Sequence, residues 1–296
     1  VLVEEEDMSR QTRARRPIRY PLPLAGALLA LAACSNRGGE AASGANTFAP
    51  GEGLAEVVAG AHRSEANKAR DKYRHPVETL TFFGIRPDMT VVELWPFGGW
   101  YTEILAPYLR EHGTYYAAIM DPQTASPQEL RYNESFEALV GARPELYSKL
   151  QRSVLAKGKT DIAPEGSADL VVSFRNVHNW VWAGMDEEVY AAVFRVLKPG
   201  GVFGIVEHRH ADPEFEPAQP GQAYVGEEWA IRRIEAAGFK LEARSDINNN
   251  PLDTKDHPRG VWTLPPTFAL GDQDRAKYEA IGESDRFTLK FVKPAQ

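Results

Sequence analysis

VVELWPFGGWYTEIL, residues 91–105, decides how the rest of the chain is read. Val91, Val92 and Leu94 with a single acid, Glu93, form the near-continuous apolar run of a strand covered on both faces. Pro96 and the pair Gly98 and Gly99 then break the run with a tight turn. After the turn, Ile104, Leu105 and Tyr108 recur at helical spacing, which predicts a helix over residues 99–110. Strand, turn and helix in that order make the first half of a βαβ unit and predict a parallel sheet.

Working outward, the same alternation recurs. Strands are predicted over residues 113–120, 167–174, 202–207, 239–245 and 285–293. Helices are predicted over 53–72, 75–83, 186–197 and 227–237, the second beginning at Pro76 and stopping at Gly84. Residues 127–150 are poorly patterned and hold a helix or two. The Asn- and Asp-rich segment 245–259 reads as a long loop. The expected fold is α/β: a doubly wound, mostly parallel sheet with helices at its N-terminal side.

The start of the chain has a different composition. Arg10, Arg13, Arg15 and Arg16 precede an apolar run over residues 21–33 that closes in LAAC, residues 31–34. A basic head, a short apolar core and small residues before a cut site are the pattern of a signal peptide. The run falls short of the roughly 20 residues that a membrane span needs. LAAC resembles the bacterial lipobox, whose cysteine is lipidated, and Cys34 is the only cysteine in the chain. The expected organisation is therefore a signal peptide over 1–33, with 1–7 outside its logic. A lipidated Cys34 and flexible tether follow over 34–52, and a folded domain over 53–296. Export to the cell envelope follows, with membrane attachment through the lipid. A net charge of −7 and no basic cluster argue against nucleic acid as a partner.

Three further stretches carry a family resemblance. FRVLKPGGVF, residues 194–203, resembles the turn into the fifth strand of class I S-adenosylmethionine-dependent methyltransferases. EAAGFKL, residues 235–241, resembles the approach to their sixth strand, and FTLKFV, residues 287–292, their antiparallel seventh. The resemblance covers about residues 71–294 and is closest to bacterial methyltransferases that carry a signal peptide. It implies a seven-stranded sheet, S-adenosylmethionine as cofactor and a small-molecule acceptor. Glu93 stands where the family has the acid ending its first strand, and Gly99 at the last glycine of its cofactor loop. Trp95 and Phe97 replace the first two glycines, and Gly98 offers backbone freedom one position along. Asp121 matches the acid that holds the cofactor ribose, with a simple Asp-Pro turn as the other reading. Trp95, Phe97 and Trp100 either line a site for the sulfonium cation or only pack.

In open α/β sheets ligands lie beyond the carboxyl ends of the strands. The fourth strand runs out there into FRNVHNWVW, residues 174–182, and the fifth into EHRH, residues 207–210. Asn176 falls on the cofactor side of this inventory. His178, Asn179, Glu207 and His208 are the candidate catalytic groups, His178 as general base because imidazole titrates near neutrality. Tyr73, Arg74 and His75 are expected to close the pocket from the N-terminal side. Two alternatives stay open. One is a metal site on His208 and His210 completed by Asp212, Asp253 and His257. The other is an envelope lipoprotein that binds a ligand on this fold without methyl transfer.

Overall fold

A computed structural model describes residues 48–218 and 220–295. The signal peptide, Cys34 and most of the tether lie outside the described residues. Strand β1 (Thr90–Leu94) sits near the middle of one sheet and splits its side chains between two cores by simple alternation. Val91 faces one hydrophobic cluster and Val92 and Leu94 the other. The remaining strands are β2 (Thr114–Ile119), β3 (Gln151–Val154), β4 (Ala168–Phe174), β5 (Leu197–His208), β6 (Lys240–Ser245) and β7 (Arg286–Val292). Their order is β3-β2-β1-β4-β5-β7-β6. The first five are parallel, and β7 runs antiparallel to both β5 and β6. This is the expected seven-stranded sheet with an antiparallel last strand.

Helices cover both faces. One layer contains α1 (Leu54–Ala59), α4 (Pro76–Phe83), α5 (Thr102–Leu109) and α6 (Pro127–Ala142), with Leu54, Phe83, Ile104 and Phe136 fully buried. The other contains α8 (Val177–Trp182), α9 (Asp186–Val196) and α10 (Glu227–Ala236), with Trp180, Val189 and Ile234 fully buried. Local signals set several ends. Gly84 closes α4 at φ 84°, and its N–H reaches the carbonyls of Leu80 and Thr81. Ser126 and Glu129 form a reciprocal capping box at the start of α6. Among the described residues no helix is long and apolar enough to cross a membrane.

The single helix expected over 53–72 is three pieces: α1, α2 (Glu65–Lys68) and α3 (Asp71–Arg74). Gly60 takes an extended conformation and ends α1. Arg63 then folds its guanidinium inward onto the Val58 carbonyl and Asp71, and Ser64 caps a new helix start. The structured chain begins before residue 53, because the Gly51 N–H bonds the Ile85 carbonyl at 2.8 Å. Strand β3, α7 (Pro144–Tyr147), α8 and α11 (Arg275–Ile281) complete the order.

Candidate functional site

The loop after β1 takes left-handed backbone at three positions, of which only one is a glycine. Trp95, Phe97 and Gly99 all have positive φ, at 46°, 51° and 83°. Side chains in the left-handed region cost about 1–2 kcal/mol per residue, so two aromatics hold this path against strain. Gly99 is required where it stands, since a Cβ would lie 2.4 Å from Leu139 Cδ2. The expected role of Gly98 is corrected. Its φ is not positive, it is exposed, and a Cβ there would make only an ordinary contact with Ser135.

The aromatic side chains have their own partners. Trp95 is buried, and its Nε1 donates to the Leu155 carbonyl at 2.9 Å. Leu155 follows β3 and β2 lies between β3 and β1, so the indole reaches across the end of β2. Trp95 also meets Trp180 edge-on at 6.3 Å. Sheet order reverses between β1 and β4, and both indoles belong to one hydrophobic cluster beside these strands. Phe97 packs edge-on against Tyr132 of α6. The faces of Trp100 are taken by two guanidinium groups, Arg63 at 5.0 Å and Arg74 at 4.6 Å. Of the two readings of these aromatics, packing is the one observed for all three.

The expected cofactor acids are engaged as well. The Glu93 carboxylate is buried and accepts from Tyr115 Oη at 2.5 Å and Thr102 Oγ1 at 3.1 Å. Burial pushes its pKa up to about 7, against the lowering effect of these hydrogen bonds. Asp121 closes β2 and accepts from Lys159 Nζ at 2.6 Å, the Gln123 N–H and Thr124 Oγ1. The lysine bond, with the amide next, holds its pKa below the usual value. Asn176 donates to the Leu94 carbonyl at 2.9 Å, tying the end of β4 to β1, while its Oδ1 is buried without a protein partner.

The ends of β4 and β5 bring three of the four proposed catalytic groups together. Glu207 is fully buried and accepts from the N–H groups of Val177 and His208 at 2.6 and 2.8 Å. His178 Nδ1 lies 3.2 Å from the same carboxylate, and its ring is 5.6 Å from that of His208. His208 Nδ1 is 2.6 Å from Ser284 Oγ. Burial, then the electrostatic influence of His178, Arg175, Arg286 and Arg74, drives the His208 pKa well below its usual value, so this imidazole is neutral. Asn179 stands apart from the cluster, with one long contact of 3.5 Å to the Arg175 carbonyl.

The metal alternative fails on geometry. His208 turns to Ser284, while His210 stacks on Phe215 at 3.8 Å. Asp253 is occupied by Tyr224, His257 and the Asp285 N–H. Among the described residues no group of three or more His, Cys, Asp or Glu is placed to hold a metal.

Five residues here have no role in the sequence reading: Lys159, Arg175, Glu283, Ser284 and Arg286. Arg175 was visible as the first residue beyond β4, in the same run as His178. Glu283 and Arg286 flank the last strand and carried no motif. Of the three residues expected to close the pocket from the N-terminal side, Arg74 bonds Glu283 at 3.2 Å. A groove of about 520 Å³ beside β3, lined by Arg152, Asp161 and Arg195 among others, shares no residue with this cluster.

Comparison with known proteins gives the following. No family model matches the chain. It is 32% identical over 98 residues to the sterol 24-C-methyltransferase of Yarrowia lipolytica, a match over 28% of this chain. The chain spans about a quarter of that relative's length. In structure it is similar to a SAM-dependent methyltransferase from Aquifex aeolicus, with TM-score 0.50 and 15% identity, over 76% of this chain and 93% of the other. It is also similar to the (4+2)-cyclase SpnF, with TM-score 0.51 and 14% identity, over 79% and 84% of the two chains. The sheet order and these likenesses show the methyltransferase fold, and the second likeness shows that this fold is not confined to methyl transfer.

Proposed function

We propose that the chain is an S-adenosylmethionine-dependent methyltransferase acting on a small molecule. The observation that carries this reading is the loop after β1. Its left-handed positions at Trp95, Phe97 and Gly99 keep the path by which backbone approaches a cofactor, although two of them bear strained aromatics. Asp121 at the end of β2 and the short match to a sterol methyltransferase support it.

The backbone fits the cofactor, and two side chains stand in its place. The Trp95 indole crosses the end of β2, and Lys159 neutralises the carboxylate expected to hold the ribose. Lys159 is about half exposed and can swing away, whereas Trp95 has to leave a buried site. The donor-binding form therefore differs from this structure at these two residues. When bound, S-adenosylmethionine supplies a methyl group on a sulfonium. The protein's part is to position and to move a proton. His178, whose Nδ1 faces the Glu207 carboxylate, is the group placed to accept the acceptor's proton at Nε2, with neutral His208 at its side. Glu207 fixes His178 and anchors the first turn of α8.

A second reading is favoured by the Trp95–Trp180 contact: a ligand-binding protein on this fold without methyl transfer. Calorimetric titration of the full chain with S-adenosylmethionine and S-adenosylhomocysteine separates the two. Failure of both to bind the wild type and a Trp95→Gly variant would leave only the second. We further propose that the protein is exported and anchored by lipid on Cys34, supported by the basic head, apolar run and LAAC of residues 31–34. Cys34→Ser should accumulate as an unprocessed, unlipidated chain; normal processing of it defeats this proposal.

A further inference from the structure

Three arginines meet one carboxylate beside His208, and a fourth stands near them. Glu283 Oε1 is 2.6 Å from Arg70 Nε, and its Oε2 is 3.2 Å from both Arg74 Nε and Arg286 Nη1. Arg175 completes the group. It follows β4 with φ 65°, and no hydrogen bond or ion pair engages its guanidinium among the described residues. Burial pushes Glu283 up, but Arg74, Arg286, Arg70 and Arg175 together hold it well below its usual range. Burial, and then the charge of Arg175, lower Arg74.

Neither of the two other nearby carboxylates bonds to these arginines: Glu207 accepts from amides of α8 and β5, and Asp285 pairs with Arg209 and Lys255 and accepts from the Asn250 N–H. Arg286 uses its remaining nitrogens on the carbonyls of Ser284 and Tyr73. Arg74 does not. It is 2% exposed, and its Nη1 is buried without an acceptor. Leaving a buried guanidinium nitrogen unpaired is unfavourable, and chains avoid it unless something else supplies the acceptor. Arginine's planar fork suits a carboxylate or phosphate. Arg175 is only partly buried, so the group opens to solvent on that side.

We propose that Arg74 and Arg175, backed by Arg70 and Arg286, form a subsite for an oxyanion, a carboxylate or phosphate group of the molecule processed beside His208. Calling that molecule the methyl acceptor rests on the function proposed above; the anion site itself does not. The site lies at the ends of β4 and β7 and borders the far end of the loop after β1, where Arg74 lies over Trp100. The acceptor's reacting oxygen or nitrogen is then within reach of His178 while its acidic group is fixed by the arginines.

The test is titration of the full chain with inorganic phosphate and with acetate, against chloride at matched ionic strength, by calorimetry and thermal melting. One of the two oxyanions should bind and raise Tm beyond chloride. Arg175→Gln should weaken that binding by about 10–100-fold. Arg152→Gln, which removes a surface pair with Glu137, should bind as the wild type does. Arg74→Gln risks misfolding, so Glu283→Gln is the second variant; loss of the internal acid should tighten binding. Preference for phosphate assigns a phosphorylated molecule, and preference for acetate a carboxylic acid. Wild-type protein that responds to neither, or an Arg175→Gln protein of unchanged affinity, overturns the proposal. Oxyanion binding without any binding of S-adenosylmethionine would keep the subsite and remove the methyltransferase reading.

Discussion

Replacing Trp95 by glycine sets two effects against each other, and the structure sizes both. The indole is 7% exposed, donates to the Leu155 carbonyl and packs on Trp180. Truncating a buried tryptophan costs about 3–5 kcal/mol. Glycine regains about 1–2 kcal/mol, because φ 46° is strained for tryptophan and not for glycine. The net expectation is a loss of about 1–4 kcal/mol, or a fall in Tm of roughly 2–15 °C for a domain of this size. Donor binding should move the other way. A cofactor that must first displace the indole loses the free energy that held it in place. Without the side chain, 2 kcal/mol returns as about 30-fold tighter binding. Urea unfolding measures the first number, and titration with S-adenosylhomocysteine at a temperature where both proteins are folded measures the second. If Trp95→Gly binds the nucleotide more weakly than wild type, the indole is a wall of the donor site, and the occlusion argument fails.

Two further outcomes follow from buried polar groups. Folded Glu93 keeps its proton up to about pH 7, whereas the unfolded chain releases it near its ordinary value of 4.5. The folded state thus binds more protons between those values, and stability falls as pH rises through that window, by an order of 3 kcal/mol. Glu93→Gln cannot titrate, so the stability difference between variant and wild type should shift in the variant's favour from pH 5 to pH 8. His208, held neutral, acts oppositely below its usual pKa of 6.5, and this comparison cancels it. A pH-independent difference in urea midpoints would show that Glu93 is ionised throughout. His178→Ala removes the ring between Glu207 and Trp182. It should cost about 1–3 kcal/mol and leave donor affinity within a few-fold; a collapse of donor affinity in calorimetry would place His178 in the donor site instead.

How much of this was legible differs by element. The central strands announced themselves because parallel strands covered on both faces must be apolar throughout. β3 did not, because it is an edge strand with exposed Gln151 and Arg152, and an edge carries no such constraint. Glycine spacing in the loop after β1 suggested a displaced turn at Gly98, but two aromatics take the left-handed backbone instead. A strained backbone cannot be read from residue type, since propensity argues against it. The cluster of His178, Glu207 and His208 was legible from strand ends alone. The arginine group was not. Arg74 was placed beside the pocket, but in sequence Arg70, Glu283 and Arg286 are ordinary solvated charges, and only the fold brings them together.

The bonds from Arg70 to Glu283 and from Arg286 to the Tyr73 carbonyl each join residues 213 positions apart. A contact of that span closes a very long loop, and such contacts are among the slowest to form. The arginines near residue 70 emerge from the ribosome well before their carboxylate partner. Until residue 283 is available, Arg74 of α3 has no carboxylate. A chain cut before β7 can still hold the apolar pairing of β1 with β2 and β4, but it has no means of completing the pocket beside His208. The segment entering β7 therefore decides whether the arginines of the N-terminal helices have their carboxylate, and a fragment lacking it leaves them without it.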